Sequence, residues 1–448
     1  MATGIPRFYE KRTNSTAVPK DINKLRPEDS AIHHWYRFVL SFPPHLVQNY
    51  VDRFSMHGSD TILDPFCGAG TTLVECKKLG IASIGIEPNP MAHFASSLKV
   101  DWSVDSSELS DYADEVVAST RSALGHDGVD DWSDLPLLQE NGRPRSPLRG
   151  LSPEQSKLLL KNSISPIPLH KTLVLLDAID GHGHSQLRRY ARLALANALV
   201  HHISNLKFGP EVGVGRIKDD APVLDAWREC MQAIIRDIRL VQDTAHVLAQ
   251  VIKADSREVD QVLEPNSIDA VITSPPYPNE KDYTRTTRLE SVILGLIRNR
   301  SELRALKMGL VRSNTRGVYK TDTDDREVHQ HKEIQGLAES IENRRVQLGK
   351  TSGFERLYPR VTQLYFGGMR RHLASLRPVL KPKAKLAYVV GDQASYLRIM
   401  IRTGRILADL ARSLGYEVTD IELFRTRPST ATGAQLREEV VLLEWPGN

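Results

Sequence analysis

Cysteine is scarce in this chain of 448 residues: only Cys67, Cys76 and Cys230 occur. Three thiols so spaced supply neither a disulfide framework nor a four-ligand zinc site, and they fit a reducing, cytoplasmic location. The histidines His182, His184, His201, His202, His329 and His331 lack a third ligand at suitable spacing, so no metal is expected. Long apolar runs are missing as well. No stretch approaches eighteen apolar residues, and MATGIPRFYEKRTNSTAVPK has no apolar segment ahead of a cleavage site. Neither a membrane span nor a secretory signal is therefore expected. No internal repeat is visible.

What is present is an ordinary globular composition, 25% charged and 40% hydrophobic, at a length that allows one to three domains. The formal net charge of +4 says little, but its distribution says more. Residues 101–140 hold eleven acids against one base, whereas residues 278–372 hold nineteen bases against twelve acids. The first stretch repels phosphate and the second attracts it.

Residues 1–30 are polar and read as an N-terminal arm. From Ala31 the chain enters a short loop and an amphipathic helix with Leu46, Val47, Tyr50, Val51 and Phe54 on one face. Thr61–Leu63 reads as a buried strand, followed by a glycine turn, a helix over Thr72–Leu79 and a second strand, Ala82–Ile86, ending at Glu87. That is one βαβ unit of a parallel sheet. Residues 101–170 read as acidic, Pro- and Ser-rich text, with helical periods over 186–206 and 222–241 and an irregular glycine-rich linker between them. Strands are expected in LAQVIKADSREV, SIDAVITSPPY, KLAYVVGD, YEVTDIELFR and EEVVLLEW, with a helix over Gly404–Leu414. The expected class is α/β: a mostly parallel Rossmann-like sheet with two helical insertions. Its framework falls in 31–103, 248–283 and 373–448. A mainly helical insertion occupies 104–247 and a basic helical one 284–372.

Two motifs carry chemistry. Asp64-Pro65-Phe66-Cys67-Gly68-Ala69-Gly70-Thr71-Thr72 joins strand to helix, where glycines admit a ligand to the backbone. The dinucleotide fingerprint needs a third glycine where this chain has Leu73. Glu87, at the tip of the second strand, is placed to accept ribose hydroxyls, and Asp255, beside Ser256, to accept from an adenine amine. The set suits an adenosine with a cationic tail. The second motif, Ser274-Pro275-Pro276-Tyr277, ends a buried strand. Two prolines remove N–H donors and stiffen the loop, leaving carbonyls, a hydroxyl and an aromatic face for a planar base that carries an amine.

With both motifs in view, the sequence resembles the DNA amino-methyltransferases, which use S-adenosylmethionine and carry FxGxG and (D/N/S)PPY motifs. Phe66-Cys67-Gly68-Ala69-Gly70 matches the first motif, Glu87 the ribose carboxylate, Asp255 the adenine acid, and Ser274-Pro275-Pro276-Tyr277 the catalytic motif in its serine form. Phe42-Pro43-Pro44-His45-Leu46-Val47 looks like the N-terminal cofactor motif. The resemblance implies a class I methyltransferase sheet with an antiparallel last strand, S-adenosylmethionine as cofactor, and double-stranded DNA as partner. It also implies a flipped cytosine methylated at N4 and a cognate restriction or defence nuclease. Phe42, Asp64, Phe66, Cys67, Gly68, Gly70, Thr71, Thr72, Glu87, Asp255 and Ser256 are the expected cofactor residues.

DNA contacts are expected from Arg312 and Arg316 in the run RSNTRG, and otherwise from Lys207 and Lys218. Methylation at C5 of cytosine needs a thiolate after proline, which none of the three cysteines provides. Adenine N6 remains open as the target, as do an RNA base methyltransferase of the same fold, a silent DNA-binding subunit and, more remotely, a nicotinamide dehydrogenase.

Overall fold

The structure is a computed structural model that describes residues 25–37, 42–131, 145–209, 211–279, 281–428, 433 and 435–447. Most of the expected arm, residues 1–24, lies outside the described residues. Among the described residues nine strands form: β1 Thr61–Asp64, β2 Ala82–Ile86, β3 Leu206–Phe208, β4 Val212–Val214, β5 Ala249–Ile252, β6 Ile268–Thr273, β7 Leu380–Gly391, β8 Glu417–Pro428 and β9 Gln435–Trp445. Seven of them make one sheet in the order β5-β2-β1-β6-β7-β9-β8. The pairs β1–β2, β1–β6, β2–β5 and β6–β7 are parallel. Only β9 runs against its neighbours, β7 and β8, so the last strand is the antiparallel one. Strand order reverses between β1 and β6, and a crevice opens where their carboxyl ends diverge.

Successive residues of the central strands point to opposite faces, and both faces are covered, which is why these strands read as continuous apolar runs. On one face Ile62, Ala270, Ile272, Ala387 and Val389 meet Val47, Tyr50, Val51 and Phe54 of the helix Pro44–Phe54. On the other, Leu63, Val271 and Leu386 meet Tyr365, Phe366, Met369 and Leu373 of the helix Tyr358–Leu376. Each aliphatic side chain so buried contributes about 1.5–3 kcal/mol.

Three expectations are corrected. Within the stretch that reads as acidic, Pro- and Ser-rich text without a helical period, Ser106–Asp127 is a 22-residue helix. Asp105 caps it by accepting from the N–H groups of Ser107 and Glu108, and Leu109, Tyr112, Val116, Thr120 and Leu124 line its buried side. The acids occupy its outer side and mask the period. Second, the glycine-rich linker is regular in part, since β3 and β4 pair as an antiparallel hairpin from Leu206↔Val214 to Phe208↔Val212. Third, the boundary expected at 372 falls inside the helix Tyr358–Leu376, which belongs to the sheet's own core. Gly367 of that helix is required by contact, because a Cβ there would lie 1.8 Å from the Asp324 carbonyl oxygen.

The remaining helices of the first insertion, Pro166–Gly181, Ser185–Ala198 and Val223–Val241, pack with Ser106–Asp127 into one core that reaches Leu73 and Val74 behind the glycine turn. That insertion therefore buttresses the site from behind.

Candidate active site

The turn after β1 is held from below. Buried Asp64 accepts from the Phe66 N–H at 3.1 Å, from Thr72 Oγ1 at 2.7 Å and from Thr273 Oγ1 at 2.6 Å. One carboxylate thus ties the glycine turn to the residue that precedes Ser274. Burial pushes the Asp64 carboxyl up to about 6, against the pull of those three donors. Gly68 and Gly70 take φ of 51° and 81°, conformations that other residues seldom adopt. Gly85 of β2 is required for another reason: a Cβ there would lie 2.8 Å from Cys67 Sγ.

Glu87 follows β2. One carboxylate oxygen accepts from the Gly68 N–H at 2.9 Å and the other from the Asn89 N–H at 2.8 Å. Each oxygen keeps lone pairs for a further donor. Burial raises this carboxyl to about 7. Beneath the turn, the buried Lys99 ammonium donates to the Ala69 carbonyl at 2.7 Å and the Tyr36 carbonyl at 3.3 Å, and burial lowers it to about 7. On the far side His372 bonds the Ser256 carbonyl and the Tyr388 hydroxyl, both at 2.7 Å, while Phe66 packs edge-on against it at 4.8 Å. Burial holds His372 down to about 4, so it acts as a neutral brace for the loops that carry Phe66 and Ser256.

The second loop leaves β6 beside the first. Ser274 Oγ donates to the Val389 carbonyl at 3.2 Å, so its lone pairs are left to accept. The Tyr277 N–H donates to the Tyr283 hydroxyl at 3.3 Å. Gly391 makes room for the Tyr277 ring, since a Cβ there would sit 3.1 Å from Cε2. Both loops line one crevice of about 1120 Å³, with Phe42, Phe66, Cys67, Gly68, Thr71, Glu87 and Ser256 toward one end and Ser274, Pro275, Pro276 and Tyr277 on its wall. That volume accommodates a cofactor together with a second planar group.

The family described as DNA methylase matches residues 9–95, a span that contains the glycine turn and Glu87 but not Ser274–Tyr277. The type II methyltransferase M.BsoBI of Geobacillus stearothermophilus is 27% identical over 304 residues, 60% of this chain and 54% of that protein. The type II methyltransferase M.AvaI of Nostoc is 24% identical over 449 residues, 94% of this chain and 86% of that protein. Over 80 residues, 18% of this chain and 15% of the relative, M.MjaII of Methanocaldococcus jannaschii is 35% identical. This chain therefore spans about half of the first relative's length and most of the second's. Among solved structures, TrmN from Thermus thermophilus aligns over 90% of this chain and 48% of its own at 10% identity, with a TM-score of 0.26, too slight to build on. This chain is similar to the DNA methyltransferases.

S-adenosylmethionine is the cofactor such methyltransferases use, and the residues present fit it. Glu87 keeps free acceptor capacity for ribose hydroxyls, and the left-handed glycines let a ligand approach the backbone. Phe66 and Ser256 offer an apolar face and a polar edge at one end of the crevice. Among the described residues no group of three or more His, Cys, Asp or Glu side chains could hold a metal ion.

Several expected residues support the crevice from outside its wall. Asp64, Gly70 and Thr72 shape the turn from below. Asp255 does not line the crevice: its carboxylate accepts from the Arg257 guanidinium at 2.5, 3.0 and 3.1 Å, and Arg257 also reaches Asp324 at 2.5 Å. The expected DNA contact Arg312 is buried, bound to Asp322 at 2.7 Å and to the carbonyls of Lys307, Met308 and Leu310. It braces its loop and is not presented to phosphate. Arg316 is partly exposed, lying 3.7 Å from Glu211 and over the Phe354 ring. Lys207 is exposed on β3, whereas the Lys218 ammonium donates to the His202 carbonyl at 2.6 Å. Sequence reasoning missed Asn89, Lys281, Tyr283, Asn314, Arg425, Arg427 and Glu438, all of which line the crevice. Only the position of Asn89, two residues past Glu87, carried a local signal.

Proposed function

We propose that the protein is a site-specific DNA methyltransferase that modifies the exocyclic amine of a flipped base, N4 of cytosine. The observation that carries this reading is the Ser274–Tyr277 loop in one crevice with the glycine turn and Glu87. The cofactor supplies an electrophilic methyl group. The chain's own part is to hold the base, because an exocyclic amine is a poor nucleophile while its lone pair is delocalised into the ring. Ser274 Oγ, its proton committed to Val389, and the Pro275 carbonyl accept the amine hydrogens and hold the nitrogen pyramidal. Tyr277 stacks on the ring, and orientation supplies most of the acceleration. No cysteine takes part: burial raises the Cys67, Cys76 and Cys230 thiols.

Cytosine is favoured because a neutral hydroxyl stands where an aspartate would accept both amine hydrogens more strongly. Adenine N6 is the second reading, which the Pro275 carbonyl alone would serve. The relatives are type II methyltransferases by name, which supports a restriction–modification setting with a cognate nuclease. The test is to modify plasmid DNA with the purified protein, digest it and weigh the nucleosides. N4-methylcytosine is expected. N6-methyladenine would overturn the base, 5-methylcytosine the mechanism, and methylation of total RNA alone the substrate.

A further inference from the structure

One side of the crevice carries positive charge that the catalytic loop does not use. Glu438, on β9, lies beside Tyr277, since a Cβ on Gly391 would meet the Tyr277 ring at 3.1 Å and Glu438 Cγ at 3.3 Å. Its carboxylate receives Arg425 Nε at 2.5 Å and Arg427 Nε at 3.1 Å, both from β8. Arg427 also reaches toward the Asp392 carbonyl at 3.4 Å, while the Arg425 guanidinium bonds Glu438 alone among the described residues. Side-chain exposures of 23% and 31% leave both guanidinium groups open to a ligand.

Lys281, four residues past Tyr277, lines the same crevice. Among the described residues its ammonium has neither hydrogen bond nor ion pair. Burial and the charge of Arg427 both lower its pKa, and Glu438 only partly offsets them. Three cations thus surround one carboxylate. A half-buried excess of this sign, with two planar forks anchored in place, has the chemistry of a phosphodiester site.

We propose that Lys281, Arg425 and Arg427 form the seat for backbone phosphate next to the nucleotide whose base enters the crevice, with Glu438 positioning the two arginines. The inference rests on the DNA-modifying reading above and replaces Arg312 as the source of phosphate contacts. It accounts for the extension of β8 and β9 past β7: Arg425 faces Glu438 at the level of Gly391, where β7 ends, and Arg427, opposite Leu436, lies beyond it. Phosphate held there anchors the strand at the crevice mouth while the base is out of its stack.

The test measures affinity for a plasmid fragment as a function of salt, using wild-type protein, Lys281→Ala, Arg425→Ala/Arg427→Ala and Arg425→Lys/Arg427→Lys. Each phosphate contact contributes about 0.9 to the slope of log K on log salt, or about 3.5-fold of the affinity lost between 50 and 200 mM. Lys281→Ala is expected to flatten the slope by about one contact and the double alanine variant by one to two. The double lysine variant, which keeps the charge, should restore most of the slope. Calorimetry with S-adenosylmethionine should give wild-type affinity throughout. An unchanged slope in both alanine variants overturns the seat. So does a loss that the lysine variant shares, since that outcome marks a hairpin damaged by losing the guanidinium geometry. Binding slopes need no turnover, so a failure to find methylated base would sink the functional reading while leaving this site standing.

Discussion

The two halves of the crevice are built in opposite ways. The end formed by the glycine turn comes from one continuous stretch: Asp64 through Asn89 supplies the turn, its anchor and the Glu87 carboxylate. The end around Tyr277 is assembled from segments far apart in the chain, with Ser274 meeting Val389 and Glu438 of β9 gathering Arg425 and Arg427 of β8 beside Tyr277. A ligand site made within one βαβ unit needs only local geometry to form. A site walled by segments from several strands exists only once the sheet has closed. The contrast teaches that the first half should tolerate changes elsewhere in the chain, whereas the second should be sensitive to any part of its scaffold.

The strongest test of that contrast is Arg312→Ala. Removing this guanidinium leaves the Asp322 carboxylate, 7% exposed, without its charge partner, and a loss of about 3–5 kcal/mol in stability is expected by denaturant unfolding. If stability holds and only DNA affinity falls, Arg312 returns to the interface and the wall assigned to it comes apart. Next in size is Tyr277→Ala. Lost stacking of about 1–3 kcal/mol lowers turnover by about 5- to 150-fold, while calorimetry shows S-adenosylmethionine binding intact. A parallel loss of cofactor affinity would mean that the two halves are not independent.

Glu87→Gln sharpens the comparison from the other side, with cofactor affinity expected to fall by about 1.5–3 kcal/mol. Burial raises the Glu87 carboxyl to about 7, and ribose hydroxyls need it ionised. Cofactor affinity of the wild type should therefore drop about tenfold from pH 8 to pH 6, and the variant should show a flat profile. For stability the sign is reversed. The folded protein holds this proton, and that of Asp64 at about 6, more tightly than the unfolded chain does. Their contribution is present below the ordinary carboxylate range and is lost as pH rises through 6 to 7. The smallest effect is expected for Asp255→Asn. Because that carboxylate is turned to Arg257, cofactor affinity should change by no more than about 1 kcal/mol, less than for Glu87→Gln.

The sequence by itself determined the sheet framework and the glycine-turn end of the crevice. Ala82–Ile86 and Ile268–Thr273 are apolar runs bounded by turn residues, and Gly68, Gly70, Glu87 and Ser274–Tyr277 lie within a few residues of strand ends. Local pattern is enough there because backbone conformation and neighbouring side chains decide the geometry. Only the tertiary structure decided the rest. The helix Ser106–Asp127 is hidden by the charge of its outer side, and Gly85 and Gly391 owe their necessity to Cys67 and Tyr277, which reach them across the sheet. Arg312 and Arg425 are alike as letters. One is sealed against Asp322 and three carbonyls, and the other stands partly exposed at the crevice beside Tyr277. Which guanidinium stays open to a ligand depends on how long-range packing distributes burial, and no local spacing encodes that.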